Sequence, residues 1–501
     1  EPDALSGTML LFGCIFGACL LYNLFQIRLS NPIELLHGGN VGEREPKTKL
    51  LLTIIGVLTL GGGYYIALSA EKPMEVIGLF FVAVILVIIG TYALFTAGSI
   101  AVLKLMRKNK KYYYQAKHFT SVSGMMYRMK QNAAGLANIC ILSTMVLVMI
   151  SSTVAMYTGM EDILNERFPR ECIVEAYEPT EENITFVNKK LEEIFKKHHI
   201  TSKNEVKYSY TGTPIVRNGN ELTYDQTKIN AHSDYGTVYL ITEEEYNQLE
   251  GKNVELQDDQ VLTYGTKDQF EEKKILLNGK TYKNTKVSMR AVDQDTQSVM
   301  SGYYIVMADQ KEIDAFIGKN QEYMTRAYYH AVDLSGKESD KFKALEEIQA
   351  QVKSDEKSIQ TELRDFSKDD FYSLYGVFFF LGIFFGILFL MATVLIIYYK
   401  QISEGYSDRE RFEVMRKVGM SQREVKQSIR SQVLSVFFLP LIVAVIHIAV
   451  AFKVITKLLS ALNLTNVPLI FGSTVATVVV FAVFYGIVYG ITTKEYYRIV
   501  K

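Results

Sequence analysis

Residues 372–399 read YSLYGVFFFLGIFFGILFLMATVLIIYY, with no charged side chain. A helix of about 20 apolar residues crosses a hydrocarbon core of about 30 Å and bonds every backbone polar group internally, so this run reads as a membrane span. Working outward, six more runs reach that length: 7–27, 50–69, 76–103, 135–157, 433–452 and 467–492. One such run suits a buried core helix, but seven do not suit a soluble chain. The expected fold class is an α-helical polytopic membrane protein with seven transmembrane helices.

The formal charge of the whole chain is zero, yet residues 159–370 hold about 28 Lys and Arg against about 41 Asp and Glu. A net of about −13 there leaves about +13 elsewhere, so one acidic insert interrupts a basic membrane protein. The basic residues concentrate in 104–134 and 400–432, each with about eight Lys and Arg. The positive-inside rule assigns both segments to the cytoplasm. Alternation then places 28–49 inside, makes 70–75 a short outer turn, sends the insert outside and leaves the carboxyl terminus in the cytoplasm. The domain division follows: 1–158 with four spans and cytoplasmic loops 28–49 and 104–134, an extracytoplasmic α/β domain at 159–371, and 372–501 with three spans and loop 400–432.

The chain opens at Glu1-Pro2 without an initiator Met, a basic leader or a cleavage pattern, so its first span does not read as a signal peptide. An outer start without an export signal predicts further sequence upstream, with a processed terminus as the alternative.

Cys14, Cys19 and Cys140 lie in spans and Cys172 is the one cysteine of the insert, which therefore holds no internal disulfide. A segment of that size buries a core without staples. Period-two patterning predicts strands at 172–177, 206–210, 237–242, 287–292 and 303–307; helical spacing predicts 181–199, 311–316 and 337–366.

Enzymatic motifs are missing. No G-x-x-x-x-G-K-[ST] loop occurs, and Gly38-Gly39 to Gly42-Glu43 lacks the lysine. No H-E-x-x-H, paired-cysteine or G-x-S-x-G pattern occurs either, so neither a catalytic nor a metal site is expected. His198-His199 closes a Lys-rich amphipathic helix, where cationic side chains cap the negative end of the dipole.

One segment has a distinct design. Residues 407–432 read SDRERFEVMRKVGMSQREVKQSIRSQ. Phe412, Met415 and Val418 keep helical spacing, Gly419 stands where a helix stops in a left-handed cap, and Ser421 with Glu424 forms a capping box for the next helix. Two short helices and a turn are predicted, with Val418 and Met420 presented beside Arg416, Lys417 and Arg423. An apolar knob with a basic rim suits a protein interface; a membrane-surface amphipathic helix is the alternative.

Here a resemblance applies. Residues 397–432 resemble the loop of FtsX-like ABC permeases in which a coupling helix docks on the ATPase subunit, with the R-K-x-G-x-[ST] core at Arg416, Lys417, Gly419 and Ser421. Tyr127-Arg128-Met129-Lys130 to Asn132, Tyr399-Lys400-Gln401 and lone His447 in the sixth span resemble the bacitracin-resistance (Bce) branch. That branch looks like ten spans with one large outer domain between the seventh and eighth. Here the insert lies between the fourth and fifth of seven, so the resemblance implies three further amino-terminal spans, absent from this sequence, that carry a first coupling loop. Lipoprotein-release and macrolide-efflux permeases look different, with four spans and the domain after the first.

The resemblance implies ATPase coupling through Met415, Arg416, Lys417, Val418, Gly419, Met420, Ser421, Arg423 and Glu424. It implies no cofactor on this chain, ATP and Mg being taken by a cytoplasmic ABC ATPase, expected as a homodimer. A membrane histidine kinase and an antimicrobial peptide or lipid-linked cell-wall precursor are the other implied partners. The implied function is sensing of, and resistance to, cell-wall-targeting peptides at the cell membrane; a non-transporting sensor that gates the kinase is the alternative.

His447 is the titratable residue deep in the sixth span, a position that marks functional candidates. Two readings stand, a neutral imidazole bonded between helices and a contact to a lipid pyrophosphate. The tract 108–118, KNKKYYYQAKH, mixes basic and aromatic residues beside a span and reads as an interfacial anchor rather than a nucleic-acid site. G-x-x-x-G pairs at Gly13/Gly17, Gly382/Gly386 and Gly486/Gly490 predict close helix seams.

Overall fold

The computed structural model describes residues 2–29, 49–69, 73–114, 116–223, 234–266, 269–289, 292, 301–318, 324–417 and 422–500. Seven helices among them are long and apolar enough to cross a membrane. We label the elements α1 (Pro2–Leu29), α2 (Leu50–Ser69), α3 (Pro73–Ala93), α4 (Ser99–Lys108), α5 (Lys110–Tyr113), α6 (Ala116–Thr158) and α7 (Met160–Arg167). After the sheet come α12 (Arg364–Lys417), α13 (Gln422–Ser460) and α14 (Val467–Val500).

Helix α6 is the hub, packing against α3, α4, α12, α13 and α14. Its buried face includes Leu136, Ala137, Cys140 and Leu147, which meet Ile397 of α12 and Ala444 and Ile448 of α13 in one apolar core. Helices α3 and α4 are joined by a π-helical turn, Leu94–Gly98, a wound-out segment of a kind often found at functional sites. Helix α1 is exposed over 5–25 apart from half-buried Gly17.

The predicted glycine seams divide. A Cβ at Gly382 would lie 2.1 Å from Thr153 Cγ2, and one at Gly386 would lie 2.8 Å from Ile150 Cγ1, so these two let α12 close on α6. A Cβ at Gly13, Gly17, Gly486 or Gly490 would meet nothing within 4 Å, so among the described residues the expected seams there do not form. A tight contact that the spacing did not flag joins α2 to α3: a Cβ at Gly90 would lie 2.7 Å from Leu60 N, and one at Gly63 2.8 Å from Val87 Cγ2.

The insert folds as a ten-stranded mixed sheet, in chain order β1 (Cys172–Tyr177), α8 (Glu181–Lys197), β2 (Thr201–Asn218), β3 (Glu221–Thr223), β4 (Asp234–Thr242), α9 (Glu243–Glu250), β5 (Gln260–Gly265), β6 (Lys274–Leu277), β7 (Lys280–Lys286), β8 (Ser301–Met307), α10 (Gln310–Ile317), β9 (Thr325–Ser335), α11 (Glu338–Gln351) and β10 (Ile359–Leu363). The strand order is β10-β1-β9-β2-β3-β6-β7-β5-β8-β4, with β2 also paired to β4. Alternation in β1 explains its layers. Cys172, Val174 and Ala176 face Val187 and Leu191 of α8 and Ala344 and Ile348 of α11. Ile173 joins a core on the other face with Tyr208, Tyr246, Tyr304 and Tyr329.

Two sequence expectations need correction. The helix predicted over 337–366 stops at Gln351, because Ser358 takes a left-handed φ of 52° and Ile359–Leu363 pairs antiparallel with β1. Buried Ile359 and Leu363 serve a strand as well as a helix, and the neighbouring strand decides. The strand predicted at 287–292 falls instead on Lys280–Lys286; Met289 and Val292 are buried in the core. Helix α6 begins at Ala116 and α12 runs unbroken to Lys417, so helix extends into both basic segments.

Candidate coupling site

Helix α12 has 54 residues, or roughly 80 Å at about 1.5 Å per residue. It starts where β10 ends, with Arg364 N–H donating to Glu171 O at 3.0 Å. One helix therefore runs from the edge of the sheet to Lys417, just before residues 418–421. The predicted pair of short helices about that turn is corrected: they are the ends of the long helices α12 and α13.

Val418, Gly419, Met420 and Ser421 lie outside the described residues, as do the side chains of Met415, Arg416, Arg423 and Glu424. Of the nine coupling residues, Lys417 is described in full, exposed and 3.2 Å from Glu413 Oε1. The backbone positions agree with the sequence in that α12 ends at Lys417 and α13 begins at Gln422.

Just above this turn α12 carries Lys400, Glu404 and Asp408 at i, i+4 and i+8, which puts them on one face. That face is turned inward: Glu404 is 8% and Asp408 4% exposed. Buried charge is costly without partners, and the partners come from two other helices. Asn132 Nδ2 of α6 donates to Glu404 Oε1 at 2.5 Å, and Lys400 Nζ lies 3.9 Å from the same oxygen. Tyr496 Oη of α14 donates to Asp408 Oδ2 at 2.5 Å. Between these bonds Gly405 lies close to Ile499, whose Cβ a side-chain carbon there would approach to 3.4 Å.

The structure thus brings together two stretches that carried the family resemblance, Asn132 and Lys400-Gln401. Sequence reasoning missed Glu404, Asp408 and Tyr496. The signal for the first two was the i, i+4, i+8 charge spacing; for Tyr496 there was none.

His447 sits at 4% exposure in the bundle. Tyr64 Oη of α2 is 2.7 Å from its Nδ1 and Thr91 Oγ1 of α3 is 3.1 Å from its Nε2. The imidazole therefore joins α13 to both helices of the α2–α3 pair, one residue pair ahead of the π-helical turn. Of the two sequence readings, the interhelical bond has the contacts.

At the opposite end of α12 the short helix α7 carries three acidic residues, and Glu161 pairs with Lys368 of α12 at 3.1 Å. Tyr372 Oη of α12 donates to Glu161 Oε1 at 2.8 Å. Asn466 Nδ2 and Thr465 Oγ1, from the turn between α13 and α14, donate to Asp162 Oδ2 at 2.7 Å and Glu166 Oε1 at 2.8 Å. Arg167 then forms a two-pronged pair with Glu362 of β10 at 2.8 and 2.9 Å. Sheet, α12 and the α13–α14 hairpin are tied at one junction.

In the sheet domain, His198 Nε2 lies 2.7 Å from Glu347 Oε2, which Lys197 also reaches at 2.8 Å. These bonds tie α8 to α11, and the hydrogen bonds from Lys197 and His198 hold Glu347 down at about 2.

The described residues thus form a bundle of helices able to cross a membrane, with one inserted sheet domain and a helix that runs from that domain to Lys417. No family model matches the chain. It is 25% identical to the ABC transporter permease protein YxdM of Bacillus subtilis over 89% of this chain and 68% of that protein. It is 22% identical to the bacitracin export permease protein BceB of the same organism, over 89% of this chain and 69% of that protein. With BceB of Halalkalibacterium halodurans the identity is 23%, over 90% of this chain and 70% of that one. These relatives are ABC transporter permeases, two of them named for bacitracin export, and the chain is similar to them over most of its length.

Proposed function

We propose that the chain couples ATP hydrolysis in its partner ATPase to the sensing of, and resistance to, cell-wall-targeting antimicrobial peptides outside the cell membrane. The observation that carries this reading is the unbroken path of α12 from β10 to Lys417. The sheet domain faces outward and the carboxyl terminus inward, in keeping with the basic residues of 104–134 and 400–432. The ATPase, a homodimer holding ATP and Mg, docks on the 418–421 turn, with Met420 and Val418 as the apolar contact and Arg416, Lys417 and Arg423 around it. Work done there moves α12 as a rod, and the α7 junction passes that movement to the sheet and the α13–α14 hairpin. The outer domain engages the peptide or its lipid-linked target and frees or shields the lipid. A membrane histidine kinase receives the same movement as a signal.

The test is co-purification of the ATPase with wild-type, Met420→Asp and Gly419→Val chains, together with peptide resistance in cells. Truncating an interface anchor costs about 2 kcal/mol or more, roughly thirtyfold in affinity, and a charge at Met420 should do at least that. Full ATPase binding and full resistance in Met420→Asp would overturn the docking role. Peptide-stimulated ATPase activity without release of peptide from its lipid target would favour the sensor that gates the kinase.

A further inference from the structure

The helix-covered face of the sheet has a cleft of about 280 Å³ between the start of α8 and the start of α10. Its walls are aliphatic, with Ile184 on one side, Ile313 on the other and Leu240 between them, and the hydroxyls of Ser209 and Thr211 also line it. Two carboxylates, Glu178 and Glu245, line the same cleft. Elsewhere in the domain carboxylates have cations: Glu312 has Lys280 at 2.7 Å, Glu347 has Lys197 at 2.8 Å and Glu171 has Lys341 at 3.1 Å. Glu178 and Glu245 have no such pair among the described residues.

Each is nevertheless held in place. Glu245 is in the first turn of α9, its N–H donating to Thr242 Oγ1 at 3.3 Å, and Ser209 bonds its carboxylate. Burial pushes that carboxyl above the usual range, because desolvation disfavours its charged form, and a cation placed beside it would reverse that effect. Glu178 adopts φ 47°, a conformation that non-glycine residues keep when surrounding contacts enforce it. Those contacts are its N–H to Arg326 O at 2.8 Å and Arg326 N–H to its Oε1 at 3.3 Å. The guanidinium of Arg326 is itself bound to Asp314 at 2.7 Å, so the charge left over in the cleft is negative.

We propose that this cleft binds a primary ammonium group on an aliphatic stem, the side chain of a lysine-type residue in a cationic peptide. The stem lies against Ile184 and Ile313, and the ammonium donates to the carboxylates and hydroxyls, which suit its three N–H donors. This deepens the functional reading above by naming the peptide chemistry, while the binding itself depends neither on orientation nor on an ATPase.

The experiment uses the full chain in lipid nanodiscs, open on both faces, with fluorescent tetralysine amide as the probe. Losing one charge-assisted contact weakens binding by about tenfold, so Glu178→Gln and Glu245→Gln should each do so. Glu346→Gln, which removes the same charge from an exposed position on α11, should change affinity less than about twofold under screening. Tetra(Nε-acetyl-lysine) amide should not bind. Equal weakening by all three variants, or undiminished binding of the acetylated probe, overturns the proposal. If the probe binds as described while Met420→Asp keeps its ATPase, the coupling reading fails and the cleft stands; the reverse pair of results removes the cleft alone.

Discussion

Asn132 and Glu404, 272 positions apart in sequence, meet at 2.5 Å where α6 passes α12 just above the turn that leads to α13. The bond locks the last part of α12 to the hub of the bundle, and Tyr496 repeats the lock one turn further on through Asp408. Asn132→Ala leaves a buried carboxylate short of a donor, which costs about 1–3 kcal/mol. Thermal unfolding in detergent should show the loss, and less ATPase should co-purify. Glu404→Gln keeps an acceptor for Asn132 and should be milder. An Asn132→Ala chain with wild-type stability and ATPase recovery would show that the bond does not position α12.

The glycine contacts give opposite expectations for chemically identical changes. Gly382→Val forces side-chain carbon into Thr153 and should destabilise by about 1–3 kcal/mol through overpacking. Gly486→Val meets nothing within 4 Å and should leave the melting temperature within about 1 °C, since a surface change of that kind is worth only a few tenths of a kcal/mol. Similar shifts in both would mean that α12 does not close on α6 through Gly382.

Tyr64→Phe removes one of the two hydroxyl partners of His447. Interhelical hydrogen bonds in membranes contribute about 0.6 kcal/mol on average and up to about 1.7, so a loss in that range is expected, seen as easier separation of the α2–α3 pair by limited proteolysis. His447→Gln, which retains bonding capacity, should keep most peptide resistance. A stable His447→Gln chain that is fully sensitive would point instead to contact with a lipid headgroup.

His330 makes the sheet domain sensitive to acid. Its Nε2 lies 2.9 Å from Glu205 Oε1, and its buried Nδ1 has no partner. Burial, with the charge of Lys207 adding to it, lowers the imidazole from 6.5 to about 4. The unfolded chain therefore binds the proton first: the contribution is whole above pH 6.5 and drains away as pH falls from 6.5 towards 4. A gap of that size amounts to about 3 kcal/mol. Unfolding followed by the sheet's circular dichroism signal should show that slope in wild type, and His330→Gln should flatten it. An unchanged slope would assign the acid sensitivity to carboxylates such as Glu205.

The seven spans could be found from sequence because a helix in lipid satisfies its backbone within its own segment, so length and apolarity over 372–399 or 467–492 suffice. The same local logic located the α12 terminus near Gly419 and strand β1 at Cys172–Tyr177. It failed where one pattern serves two partners: buried Ile359 and Leu363 fit helix or strand until β1 lies beside them. It could not tell packed Gly382 from open Gly486, as both sit in the same G-x-x-x-G spacing. Nor could it bring Asn132 to Glu404, Tyr496 to Asp408 or Glu178 to Glu245. Those juxtapositions depend on how whole helices and strands are arranged, and the energy that selects them lies in contacts between residues far apart in the chain.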